Sequence, residues 1–255
     1  NLTLDGTINP DFGQVEADPA EVNLTAFETF FPEQRPFFIE GNQLLQGTGP
    51  GYYYSRRIGA TPQGYATGEV ADSADFLESP RYATILGAAK LTGRTSSGMS
   101  IGALAAVTQR EYANLYDMTT NSFDKVAVEP STAYLVGRVQ QEFGASASTV
   151  GVTLTGLSRN FSDAEPLKQQ MTSQAVSGGA DWLLRFNNGQ FLIGGHAGVS
   201  YIHGSDTAVT AVQMSSAHYY QRPDQDYAVL DTTRTSLSGY SLGLNAEKAG
   251  GKHWT

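Results

Sequence analysis

The chain has 255 residues and a mass of 27.3 kDa, with 16 Lys+Arg against 25 Asp+Glu, a net charge of −9, and no cysteine. This balance excludes a basic nucleic-acid surface, and the missing cysteine excludes disulfides, thiolate metal sites and a cysteine nucleophile. Charged residues are only 16% against ~25% in an average domain; Gly, Ser, Thr and Tyr fill the gap, which suits strands and turns better than a helical enzyme core. The stretch 186–205 contains no charged residue, but Gly, Asn, Gln, His and Ser interrupt it, so a membrane-spanning helix is excluded and a membrane barrel is not.

Taken in chain order, apolar residues recur with period two in segments of about 10–13 residues, the signature of strands with one apolar face. Segment 2–9 aligns Leu2, Leu4 and Ile8 against Thr3, Asp5 and Thr7. Segment 83–92 aligns Ala83, Ile85, Ala89 and Leu91 against Lys90 and Thr92, and 99–108 aligns Ile101, Ala103, Ala105 and Val107. In 132–143 Leu135 and Val139 oppose Tyr134, Arg138 and Glu142; in 148–159 Val150, Val152 and Leu154 oppose Thr149, Thr153 and Thr155. Segment 174–186 sets Val176, Ala180, Trp182, Leu184 and Phe186 against Ser177, Asp181 and Arg185. Segment 190–203 sets Phe191, Ile193, Ala197, Val199 and Tyr201 against His196 and Ser200, and 235–247 sets Tyr240, Leu242, Leu244 and Ala246 against Ser241 and Asn245.

The links alternate. Short ones at 93–98, 144–147, 187–189 and 249–251 are rich in Gly, Ser and Asn, the residues of tight hairpins. Long ones at 109–131, 160–173 and 204–233 fall between them. Outer-membrane barrels alternate in this way, whereas soluble sandwiches use shorter strands and mixed links. Tyr82, Tyr134, Trp182, Phe186, Phe191, Tyr201 and Trp254 sit towards strand ends, as an interfacial girdle requires. The expected fold is therefore all-β: an antiparallel up-and-down transmembrane barrel, its first strand at 1–9, a folded insert at 10–81 and further strands over 82–255. Eight strands, with a ninth beginning at Lys252-His253-Trp254-Thr255, predict a fragment of a longer barrel.

Segment 10–81 breaks the alternation. Asp11, Glu16, Asp18, Glu21, Glu28, Glu33 and Glu40 face the single cation Arg35 between residues 11 and 40, and Phe27, Phe30, Phe31, Phe37 and Phe38 crowd together. Such a mixture predicts a compact insert acting as a plug or cap, not a solvated loop. The run Asn9-Pro10-Asp11-Phe12-Gly13-Gln14-Val15-Glu16-Ala17-Asp18, the block Arg35-Pro36-Phe37-Phe38, and Tyr54-Ser55-Arg56-Arg57-Ile58-Gly59 carry a resemblance. So do Ile85-Leu86-Gly87-Ala88-Ala89-Lys90-Leu91-Thr92-Gly93, Gln221-Arg222-Pro223-Asp224 and Ser236-Leu237-Ser238-Gly239-Tyr240. Over most of its length the chain resembles an uncharacterised family of bacterial outer-membrane barrels, whose members usually carry an upstream domain like the family 9 carbohydrate-binding modules. The resemblance implies an outer-membrane location, a lipid bilayer as partner, and carbohydrate binding or uptake with that module; it implies no defined activity.

The residues themselves allow three readings of the charged groups. Paired carboxylates allow a surface glycosidase, which needs two acids flanking one bond, but no spacing picks out the pair. Asp11, Glu16 and Asp18 are candidate calcium ligands without the regular spacing of an EF-hand loop; no other cofactor is expected. The bland reading makes Glu33, Arg35, Glu40, Arg56 and Arg57 a salt-bridge network fixing the insert to the wall, because guanidinium forks match carboxylates. Alternation then turns Asp5, Lys90, Arg138, Asp181, Arg185 and His196 towards the lumen, with mixed signs that read first as wall packing. A soluble β-sandwich binding module is the remaining alternative.

Overall fold

The computed structural model describes residues 1–10, 29–67, 69–161 and 166–250. Eight strands form one antiparallel sheet: β1 (Leu2–Ile8), β3 (Ile85–Arg94), β4 (Met99–Thr108), β7 (Ser131–Phe143), β8 (Ser148–Asn160), β9 (Gln174–Phe186), β10 (Phe191–His203) and β11 (Ser236–Lys248), paired in that order. A separate three-stranded sheet joins β2 (Phe76–Glu78) to the hairpin β5 (Glu111–Asp117) and β6 (Ser122–Glu129). The helices are short: α1 (Pro36–Ile39), α2 (Glu69–Ser73), α3 (Leu167–Gln170) and α4 (Asp206–Met214). β1 and β11 are the sheet's free edges, and no pairing between them closes it among the described residues.

Each pair of the sheet is a simple meander, so the short turns fall at one end and the long links at the other. The described parts of the long links are folded. β5 and β6 make a hairpin inside the first of them, and α4 begins where the Ser205 side chain accepts a hydrogen bond from the Ala208 amide, an N-cap. Val209 of α4 and Leu167 of α3 are fully buried. The Gln213 carboxamide grips the Asp231 backbone in both directions, donating to its carbonyl at 2.8 Å and accepting from its amide at 3.0 Å.

The two faces of the large sheet differ. One face is bare: Leu2, Leu4, Leu135, Val139, Val150, Val152, Leu154, Val176, Val199, Tyr240, Leu242 and Leu244 are all exposed there. Register places these side chains in continuous rows, as in Ile101–Val139–Val152–Ala180–Ala197–Leu242 across six strands. The other face is covered by residues from the segment between β1 and β3. There Phe38, Leu45 and Ile58 of that segment pack with Ile85, Ala88, Leu104, Ala106 and Val136 of the sheet, forming the main core.

Two sequence expectations fail on this sheet. Ala83 and Ile85 do not share the bare face with Ala89 and Leu91; both are buried on the covered side. A β-bulge explains it: the pairing shifts between Ile85 and Gly87, so the phase of alternation inverts at Leu86, which is exposed instead. Tyr134 likewise belongs to no girdle, since it sits on the covered face against the core. The candidate calcium ligands Asp11, Glu16 and Asp18, along with Glu21, Phe27, Glu28 and Trp254, lie outside the described residues.

Candidate functional site

The covered face and the segment lying on it form the candidate site. Its centre is an ion pair within the sheet: Arg138 of β7 reaches across β8 to Asp181 of β9, Nη1 to Oδ2 at 2.5 Å and Nη2 to Oδ1 at 2.9 Å. The reach is possible because the intervening residue is Gly151, where a Cβ would stand 2.5 Å from the guanidinium. Thr153 and Gln140 accept the remaining Arg138 hydrogen bonds, each at 2.8 Å. A bidentate fork with the other Nη1 and Nη2 donors also engaged is the geometry in which a buried pair is tolerated.

The run Gly47-Thr48-Gly49 rests directly on this pair. The Thr48 hydroxyl donates to Asp181 Oδ1 at 3.1 Å. A side chain at Gly47 would strike Arg138 and Asp181, and one at Gly49 would strike the His196 ring, so glycine alone lets the backbone approach this closely. His196, the strand neighbour of Asp181, also meets Ser241 through Nε2 at 3.1 Å. Further along, the Tyr52 hydroxyl settles over Gly179 and Gly198, where any Cβ would collide with it. The sheet thus presents a glycine floor shaped to one strip of covering chain.

A second anchor lies within the covering segment. Arg35, 2% exposed, forks onto Glu33 through Nε at 2.9 Å and Nη2 at 2.8 Å, and donates to the carbonyls of Ile58 and Ser55. Its guanidinium also stacks 4.3 Å from the Phe38 ring centre. Burial pushes the Glu33 carboxyl up, but hydrogen bonds from Arg35 and Ser55 and the Arg35 charge outweigh it and bring it down to about 2. Burial pushes the neighbouring Tyr53 phenol above its ordinary value.

Several of the other named residues meet main-chain atoms among the described residues. Lys90, 1% exposed, donates to the carbonyls of Phe37 and Glu40 at 2.6 and 2.5 Å, so its ammonium closes the C-terminal end of α1. The Glu40 side chain is exposed and only its main chain takes part. Arg56 donates to the Pro32 carbonyl, the Arg57 carbonyl faces the Tyr134 hydroxyl, and Arg185 donates to the Ala147 carbonyl. Asp5 is the register partner of Lys90 without an ion pair to it. Lys90 and Arg56 find carbonyls because the short helices and turns of the covering segment leave main-chain acceptors unpaired where the long side chains reach, and Arg185 finds one in the β7–β8 turn. Of the five phenylalanines, Phe38 is buried, Phe37 packs at the core's edge and Phe30 remains exposed against Tyr54.

Above the glycine floor, towards the long-link end, a cavity of about 300 Å³ remains between sheet and covering segment. Tyr52, Tyr53 and Tyr54 form one wall; Thr155, Ser177 and Ser200 of β8, β9 and β10 stand in the other. No group of three or more metal-ligating side chains occurs among the described residues. Sequence patterning alone does not single out Gly47-Thr48-Gly49, the Tyr52–Tyr54 run or the glycine floor. The legible signals were the triple tyrosine and the placement of Gly151, Gly179, Gly198 and Gly243 on the covered face by alternation.

A family described as Domain of unknown function (DUF5916) matches residues 1–252, and the chain belongs to it. No curated protein and no solved structure matches the chain.

Proposed function

We propose that this DUF5916 chain is part of the wall of an outer-membrane β-barrel, with the segment between β1 and β3 held against its inner face as a plug. One observation carries the reading: on the bare face of all eight strands, from Leu2 to Ala246, Asp, Glu, Lys and Arg are absent until Lys248 ends β11. Polar residues on that face, such as Gln141, Ser158, Asn160, Gln174 and Ser238, keep to the strand ends. A 13-residue strand such as β8 extends about 40 Å, enough to cross the hydrocarbon core obliquely. A water-exposed sheet would leave an apolar surface well beyond the few hundred Å² typical of a soluble monomer.

Carbohydrate binding or uptake is the role that the family resemblance adds, through an upstream sugar-binding module. A soluble sandwich would need a second sheet about 10 Å away over the bare face, and the exposure of Val152 and Leu242 speaks against one. The glycosidase reading is weaker, because both Glu33 oxygens are engaged by Arg35 and the carboxylate is held ionised. The test is fractionation of the parent protein with an alkaline wash, then gel mobility before and after boiling. Retention in the outer membrane with a heat-dependent mobility shift is expected; release into buffer without detergent overturns the reading.

A further inference from the structure

The cavity between the tyrosine run and the sheet has the makings of a ligand site of its own. Its volume, about 300 Å³, falls at the lower end of small-molecule sites, about 300–1,000 Å³. The register of β8, β9 and β10 aligns Thr155, Ser177 and Ser200 as a hydroxyl row facing Tyr52, Tyr53 and Tyr54. Leu157, Ala175 and Ile202 form the next row, also in register, so the rest of that wall is hydrocarbon.

Few polar groups are open to the cavity with capacity to spare: the Tyr52 and Tyr53 hydroxyls have no hydrogen-bond partner among the described residues, but both are buried and not exposed to it. The Thr155 and Ser177 hydroxyls bond each other at 2.8 Å, and Tyr54 is committed to the main chain of Phe31 in both directions. Among the described residues the Ser200 hydroxyl has no hydrogen-bond partner, and Ser200 is exposed and lines the cavity. A saccharide ring, with an oxygen on nearly every carbon, would leave several groups unpaired at about 1–3 kcal/mol each. A ring that is mostly carbon, with one or two oxygens, would not. Among the described residues the lining has no carboxylate, and its cation, Arg57, is exposed.

We infer that this cavity binds a flat, single-ring aromatic compound, neutral or singly anionic, stacked against the tyrosines with its oxygen at the Ser200 hydroxyl. The site rests on the proposed function only in that the same plug segment supplies one wall; it is separate from any saccharide site of an upstream module. Aromatic faces favour offset or edge-on partners, and the tyrosine run lines one side of the cavity.

The test is calorimetric titration of the folded chain in detergent with 4-hydroxybenzoate, and with glucose as the comparator. Saturable binding of 4-hydroxybenzoate and none of glucose is expected. Ala175→Phe and Ser200→Phe, which fill the cavity from two strands, should each weaken binding at least tenfold without changing gel mobility. Ser200→Ala should weaken it by about threefold to tenfold, the loss of one hydrogen bond. Absence of saturable binding, binding indifferent to both filling variants, or glucose bound in its place would overturn the inference. Should the chain extract into buffer, the membrane reading fails while this titration still decides the site.

Discussion

Asp181→Ala tests the covered face where it is most tightly determined. The substitution removes the carboxylate paired with Arg138, whose side chain is 3% exposed, and also removes the acceptor of Thr48. Breaking a buried pair from one side costs about 3–5 kcal/mol, because the surviving charge stays in a poorly solvating place. Thr153 and Gln140 still accept from Arg138, so the lower end of that range, about 3 kcal/mol, is expected. Asp181→Asn keeps the shape and one acceptor and should cost less, about 1.5–3 kcal/mol. The double substitution Arg138→Met with Asp181→Leu leaves no charge stranded and should recover most of the loss. Urea unfolding of the detergent-folded chain, read by gel mobility, supplies the three free energies, and protease cleavage near Thr48 reports detachment of the segment. A cost below about 1 kcal/mol for Asp181→Ala, or a double variant no better than the worse single, would refute the argument that the pair is buried and mutually dependent.

Gly198→Ala places a methyl group where the Tyr52 hydroxyl lies; overpacking of about 1–3 kcal/mol should lift residues 47–54 and expose them to protease, while the far strands keep their mobility shift. Val152→Arg, on the bare face, should cost about 2–4 kcal/mol in a bilayer, whereas Asn245→Arg, exposed on the opposite face, should stay within about 0.5 kcal/mol; folding titrations in lipid vesicles compare them. Glu33 titrates near 2, below its ordinary 4.5, so its stabilising effect is complete above about pH 4.5 and lost as pH falls towards 2. Amide exchange at residues 33–58 should accordingly rise across that window, and Glu33→Gln should flatten the rise.

The strands were legible because one face meets a uniform environment. Val150, Val152 and Leu154 repeat without interruption, and the hairpin links carry Gly and Asn where positive φ is needed, as at Asn187, Asn188 and Gly189. Alternation failed where register broke: the bulge at Leu86 turned Ile85 inward, and nothing in the local sequence announces an extra residue in a strand. It also says nothing of what lies on a face. Thr153 is polar and covered-side as its position implies, yet it is buried beneath Arg138, so an Arg there would not be a mild substitution. Partners across the insert were harder still. Charge counting pairs Lys90 with a carboxylate, while the folded chain offers it two carbonyls of α1, and main-chain acceptors are invisible to composition. The hairpin β5–β6 hid in a link read only as long, because its buried alternation, Ala113 and Leu115 in β5, spans too few residues to stand out.

The central claim is that one face of this sheet meets lipid and the other meets the chain's own plug segment. A nitroxide scan along β8, from Val150 to Leu157, in reconstituted bilayers measures it residue by residue. Oxygen accessibility should peak at residues 150, 152 and 154, fall at 151, 153 and 155, and repeat with period two. Uniformly low oxygen accessibility on both faces, or high accessibility to a water-soluble relaxant at Val152, would contradict it.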